Sequence, residues 1–87
     1  MKPIKMTKTD LMLGNVVQLR NGKLALLTMN DLSTECFLTN LVSGLTITIL
    51  CAYTLDMKHK SDSSLDIKIV YKDYWCDEQL WRRANDN

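Results

Sequence analysis

Two apolar blocks, Val16-Val17-Gln18-Leu19 and Leu24-Ala25-Leu26-Leu27-Thr28-Met29, flank Arg20-Asn21-Gly22-Lys23. Asn-Gly between apolar runs is a strong hairpin signal, because a type I′ turn needs positive φ at both central residues. A two-residue loop places Arg20 opposite Lys23, Leu19 opposite Leu24 and Val17 opposite Leu26. Side chains alternate along a strand, so Val17, Leu19, Leu24 and Leu26 are expected to share one aliphatic face. Gln18, Arg20, Lys23 and Ala25 then take the other. Val16 and Leu27 fall on that second face, which predicts that this end of the ribbon is covered on both sides. The pattern reads as all-β.

The rest of the chain continues it. Residues 1–9 carry an isolated proline and scattered lysines and are expected to form a loose N-terminal segment. Leu11 and Leu13 are expected to tuck beneath the sheet, and Gly14-Asn15 to bend the chain into the first strand. Asn30 to Thr34 is a cluster of turn formers. A second hairpin follows over 35–53, in which Thr46 and Thr48 alternate with Leu45, Ile47 and Ile49. A two-residue turn at Ser43-Gly44 brings Cys36 opposite Cys51, whereas a three-residue turn offsets them. Residues 54–65 form a polar connection whose tip, Lys58-His59-Lys60, is expected in solvent. Asp66 to Tyr71 alternates as a strand with Ile67, Ile69 and Tyr71 on one side and Lys68 and Val70 on the other. Periodicity leaves Leu80-Trp81-Arg82-Arg83 open between a last short strand and a helical turn begun at Asp77.

Composition narrows the classes. Eighty-seven residues make one domain, and 46% apolar residues, 24% charged residues and a net charge of +1 describe a globular chain without the basic excess of a dedicated nucleic-acid binder. Cys36, Cys51 and Cys76 are odd in number, widely spaced and without a Cys-x-x-Cys pair, which argues against zinc and against a secreted disulfide scaffold. Reduced thiols in a cytosolic protein are the expectation. His59 is the single histidine. The basic N-terminus lacks the apolar core and cleavage site of a signal peptide, and the apolar-leaning run 45–53 is too short to span a bilayer. All three glycines are isolated turn residues, and neither Gly-x-Ser-x-Gly nor His-Glu-x-x-His occurs, so no enzyme activity, metal or cofactor is expected.

Two features suit binding. Arg20 and Lys23 meet across the first turn, where paired like charges invite an anion, although a solvated hairpin tip is the simpler reading. In the C-terminal segment 72–87, Tyr74, Trp75 and Trp81 are followed by Arg82 and Arg83. Aromatic faces stack on bases and arginine forks grip phosphates, so this set suits a nucleotide, a nucleic-acid strand or a protein hot spot. For Trp81 the simpler reading, a large side chain completing a small core, is preferred.

The ordered set Leu13-Gly14-Asn15-Val16-Val17-Gln18-Leu19-Arg20-Asn21-Gly22, Tyr53-Thr54-Leu55-Asp56, Asp66-Ile67-Lys68-Ile69-Val70-Tyr71 and Leu80-Trp81-Arg82-Arg83 resembles small proteins of phages and prophages of Gram-positive bacteria. The resemblance spans most of the chain, departing at Arg82, where an acidic residue is expected, and over 30–50. It implies an SH3-like barrel of five to six antiparallel strands in the cytoplasm of a bacterial host. It further implies a non-enzymatic accessory protein that inhibits a host process, antiviral defence among them, by binding a host protein or sequestering a nucleotide-derived signal. In the nucleotide version Trp81 or Trp75 stacks on the base while Arg82, Arg83, Arg20 or Lys23 neutralises phosphate. The alternatives are a nucleic-acid-binding module and a structural subunit that oligomerises through an exposed strand edge.

Overall fold

The computed structural model describes residues 6–29 and 34–84. The turn expected at 30–34 therefore lies outside the described residues except for Thr34. Six strands, β1 (Val16–Leu19), β2 (Leu24–Met29), β3 (Cys36–Asn40), β4 (Thr46–Ile49), β5 (Ile67–Tyr71) and β6 (Gln79–Arg82), form one antiparallel sheet in the order β4-β3-β2-β1-β5-β6. Among the described residues, helix is confined to three short 3-10 turns at Lys8–Asp10, Leu50–Ala52 and Ser63–Leu65. None of these is long and apolar enough to cross a membrane. The all-β expectation holds, but the sheet is not closed into a barrel. Barrel closure requires the two edges to pair, and β4 and β6 remain the outer strands of an open sheet. The tail question resolves as a strand, β6, paired to β5 through Val70↔Trp81.

The first hairpin exists, with its register displaced by one residue: Gln18↔Leu24, Val17↔Ala25 and Val16↔Leu26. Its loop has three residues, closed by Leu19 N–H to Lys23 O at 2.9 Å and Gly22 N–H to Leu19 O at 2.8 Å. Among the turn residues only Gly22 has positive φ, +89°, as in a type I turn completed by a left-handed glycine rather than a type I′ turn. A tertiary contact supplies the reason. Arg20 N–H donates to Asp66 O and Asn21 N–H to Ser64 O, both at 2.9 Å, so the first half of the turn prolongs the ladder between β1 and the lead-in to β5. The Asn21 Oδ1 accepts from Lys23 N–H at 2.9 Å and locks the result. Val17, Leu19, Ala25 and Leu27 consequently face inward, and Leu24 and Leu26 lie half-buried on the other side with Val16. Arg20 and Lys23 are not a cross-strand pair.

The strict alternation expected for β5 is interrupted. Leu19 pairs with Ile67 but Gln18 with Ile69, so Lys68 is an extra residue that resets the phase. Ile67 and Val70 thus share the core face, and Ile69 and Tyr71 turn to the opposite one. In the second hairpin Phe37↔Ile49 and Leu38↔Thr48 pair, and a loop over 41–44 is closed by Asn40 N–H to Leu45 O and Gly44 N–H to Asn40 O, both 2.8 Å. The Asn40 Oδ1 accepts from the Val42 and Ser43 N–H groups. This register sets Cys36 and Cys51 out of opposition, and both are free thiols.

The main core gathers Val17, Leu19, Ala25, Leu27, Leu38, Ile67 and Val70 from the sheet against Tyr53 and Met57 from the crossover between β4 and β5. Met6, Leu11, Leu50, Leu65 and Trp81 pack around it. Leu11 takes its expected place, but Leu13 is exposed. Residues 6–9 are held rather than loose: Met6 packs on the core, Lys8 N–H donates to Leu55 O, and Lys8 Nζ donates to Tyr53 O at 2.9 Å.

The crossover is also more ordered than a solvated loop. Tyr53 bridges His59, and Met57 occupies the left-handed region at φ +61° with its side chain fully buried. Lys58 and Lys60 are exposed as expected, whereas His59 turns inward. The His59 Nδ1 accepts from the Ser61 and Asp62 N–H groups at 3.2 and 3.0 Å. Its ring proton therefore sits on Nε2, which donates to Thr48 Oγ1 at 2.9 Å. Its own N–H donates to Asp66 Oδ1 at 2.8 Å, and its ring meets Tyr53 edge-on.

Candidate interaction surface

The antiparallel ladders define two ends of the sheet. Val16 pairs with Tyr71 and Tyr71 with Gln79 at one end; Leu19 pairs with Ile67, and Arg83 N–H donates to Lys68 O, at the other. The Arg20 to Lys23 turn and Arg83 belong to the second end, whereas Arg82 pairs with Ile69, midway along β5. Tyr74 and Trp75, in the loop between β5 and β6, belong to the first. Tyr71 and Ile67 are four residues apart, which at strand rise separates the two ends by about 13 Å.

At the basic end Arg83 and Arg20 serve the fold. The Arg83 side chain is one-tenth exposed and donates through Nε to Ile67 O at 3.0 Å and through Nη2 to Asp56 O and Met57 O at 2.9 and 3.1 Å. Its Nη1 lies 3.6 Å from Asp56 Oδ2, and its guanidinium sits 5.1 Å from the Trp81 ring centroid. One side chain thereby fastens the end of β6 to β5 and to the crossover. Trp81 packs on the core beneath it. Arg20 reaches the buried carboxylate of Asp66 at 3.4 Å. Arg82 is exposed, with Nε donating to Gln79 Oε1 at 3.3 Å, and Lys23 stands in solvent.

The other end is apolar. Tyr74 and Trp75 are 57% and 68% exposed, and their rings stack with centroids 4.3 Å apart and planes 21° from parallel. Asp73 Oδ1 accepts from Trp75 N–H at 3.1 Å, Cys76 N–H donates to Asp73 O, and Cys76 completes the reversal at φ +57°. Burial, and then the negative charges of Asp73 and Asp77, push the Cys76 thiol above its ordinary pKa. Beside this loop stands the turn before β1. Asn15 is buried, accepts Met12 N–H on Oδ1 at 2.8 Å, and donates through Nδ2 to Lys72 O at 2.9 Å, joining the two loops. That turn presents Met12 and Leu13 to solvent, and Met29 at the neighbouring end of β2 is also half exposed. Leu27 N–H to Asn15 O and Gly14 N–H to Leu27 O carry the ladder up to it.

No family model, curated protein or solved structure matches this chain.

Of the residues singled out by composition, the fold thus brings Tyr74 and Trp75 together and holds them apart from Arg20, Lys23 and Arg83, with Arg82 between the two ends. Met12, Leu13 and Met29 carried no sequence signal for this surface, because their exposure follows from where the strands end. At the same end, Lys8, Thr34, Glu35, Cys36, Ile49, Leu50 and Cys51 line a cavity of about 290 Å³. Among the described residues no group of three or more His, Cys, Asp or Glu side chains gathers as a metal site would require.

Proposed function

We propose that this is a non-enzymatic binding protein that docks a protein partner on the aromatic end of its sheet. On the resemblance to phage and prophage proteins, we extend the proposal to an accessory protein that acts in the bacterial cytoplasm and inhibits a host process, antiviral defence being the leading candidate. The SH3-like kinship belongs to the same proposal and is supported by strand number and antiparallel order.

The observation that carries the docking role is the exposed, stacked Tyr74-Trp75 pair. Two large exposed rings, at the same end of the sheet as the exposed Met12, Leu13 and Met29, offer apolar surface of the kind that marks interaction sites, and Tyr and Trp are the residues enriched in binding hot spots. Charge favours a protein over a nucleotide. Loop 72–78 holds Asp73, Asp77 and Glu78 against Lys72, so a phosphate near Trp75 meets carboxylates, while Arg83 and Arg20 are engaged with Asp56 and Asp66. A nucleic-acid strand meets the same repulsion.

Affinity capture from a Gram-positive host lysate tests the reading. Wild-type protein is expected to retain a defined host protein that Y74A/W75A loses while keeping a folded amide spectrum. Equal capture by both proteins overturns it.

A second reading has its own support. Among the described residues β4 is an outer strand with one edge unpaired, and Val42 to Leu50 contains no charge to discourage pairing with another copy. Light scattering that gives a monomer at high concentration removes it.

A further inference from the structure

The docking reading names a surface and leaves the chemistry of its partner open. We infer that the partner brings a lysine- or arginine-bearing segment, one cation resting on the Tyr74-Trp75 rings and its neighbours meeting Asp73 and Asp77. The inference rests on the docking reading and adds the sign of the charge.

Three observations carry it. First, the rings stack on each other at 4.3 Å yet remain more than half exposed, so electron-rich faces are available, and such faces attract ammonium and guanidinium groups. The fold already makes this contact once, with Arg83 over Trp81 at 5.1 Å. Among the described residues no such contact is made at Tyr74 or Trp75.

Second, the charges beside the rings are negative. Lys72 lies 3.9 Å from Glu78, with both side chains about three-fifths exposed, which leaves Asp73 and Asp77 as the uncompensated pair of the loop. Asp73 is also fixed in place, because its carboxylate accepts the N–H of Trp75 itself. Third, the thiol between the two aspartates responds to them: after burial, their charges are what raise the Cys76 pKa. An apolar platform with an anionic rim complements a cationic segment and repels an acidic one.

Short peptides test the sign of the charge on the full chain. Acetyl-tetralysine amide and acetyl-tetraarginine amide are titrated into isotopically labelled protein, with acetyl-tetraglutamate amide and an uncharged Gly-Ser peptide as comparisons. The cationic peptides are expected to shift the amides of 73–77 and the Trp75 indole N–H saturably. The apparent affinity should fall several-fold as ionic strength rises from about 0.05 M to about 0.3 M, where the screening length shortens. D73N/D77N should weaken it several-fold, and W75A should abolish it. Shifts of equal size with the glutamate peptide, or cationic shifts confined to other residues or missing, overturn the inference. If cationic peptides fail while Y74A/W75A still loses its captured host protein, docking stands and the charge assignment falls. If capture is unaffected by Y74A/W75A, the docking reading itself falls. Concentration-dependent self-association that disappears in W75A assigns the face to a second copy and likewise overturns the inference.

Discussion

Arg83 shows how a residue with a recognition-like signature can be consumed by the fold. Its donors meet three backbone carbonyls and one carboxylate, and removing it breaks four contacts at once, leaving the part-buried Ile67 carbonyl without its guanidinium donor. Arg83→Ala is expected to cost about 3 kcal/mol in urea denaturation, the scale of losing several charge-assisted bonds in part-buried surroundings. Arg83→Lys should recover little, since a single ammonium cannot span the same fork of acceptors. Tyr53 makes a second residue-level prediction. Burial, then the charges of Asp66 and Asp62, raise its pKa above the ordinary 10.0, and its hydroxyl donates to Leu65 O. The unfolded chain therefore releases this proton at lower pH than the folded one does. The contribution is intact below about pH 10 and declines above it, by up to about 1.4 kcal/mol per pH unit. In alkaline denaturation series the gap between wild type and Tyr53→Phe should narrow as pH rises past 10.

At the scale of elements, the hairpins and their alternating strands were legible in the sequence, and the registers were not. Asn21-Gly22 announces a reversal wherever it sits between apolar runs, but the choice between a two- and a three-residue loop was made by Asp66 and Ser64, more than forty residues away, whose carbonyls accept the Arg20 and Asn21 N–H groups. One residue of slip exchanged Leu24 and Leu26 for Ala25 and Leu27 in the core. The bulge at Lys68 is a similar case, since nothing local marks the extra residue. The turn itself is testable: Gly22 at φ +89° has open space around its Cα, so Gly22→Ala incurs only the left-handed backbone penalty, about 1 kcal/mol. A larger loss in chemical denaturation indicates a contact at the tip beyond that backbone term.

For the whole molecule, the decisive fact is that the C-terminal segment is a strand. Trp75 and Arg83 are eight residues apart, and as a helical turn the run from Asp77 to Arg83 gathers its side chains within about 9 Å of axial rise. As β6 it runs back along the sheet, carrying Arg82 to the middle of β5 and Arg83 to the far end from Trp75. The aromatic and arginine content of the segment was visible in composition; its division between two ends depends on a secondary structure that periodicity left open. Exposure of Met12, Leu13 and Met29 was hidden for a related reason, because a solitary apolar residue near a strand end looks like core until the sheet's boundary is known.

The account stands on this division of the molecule into a scaffolding basic end and a docking aromatic end. A photo-crosslinking amino acid placed at Trp75, and separately at Lys23, compares the two directly in host cytoplasm. A protein adduct formed from position 75 and missing from position 23 is the predicted result. Adducts formed from 23 and not from 75 contradict it.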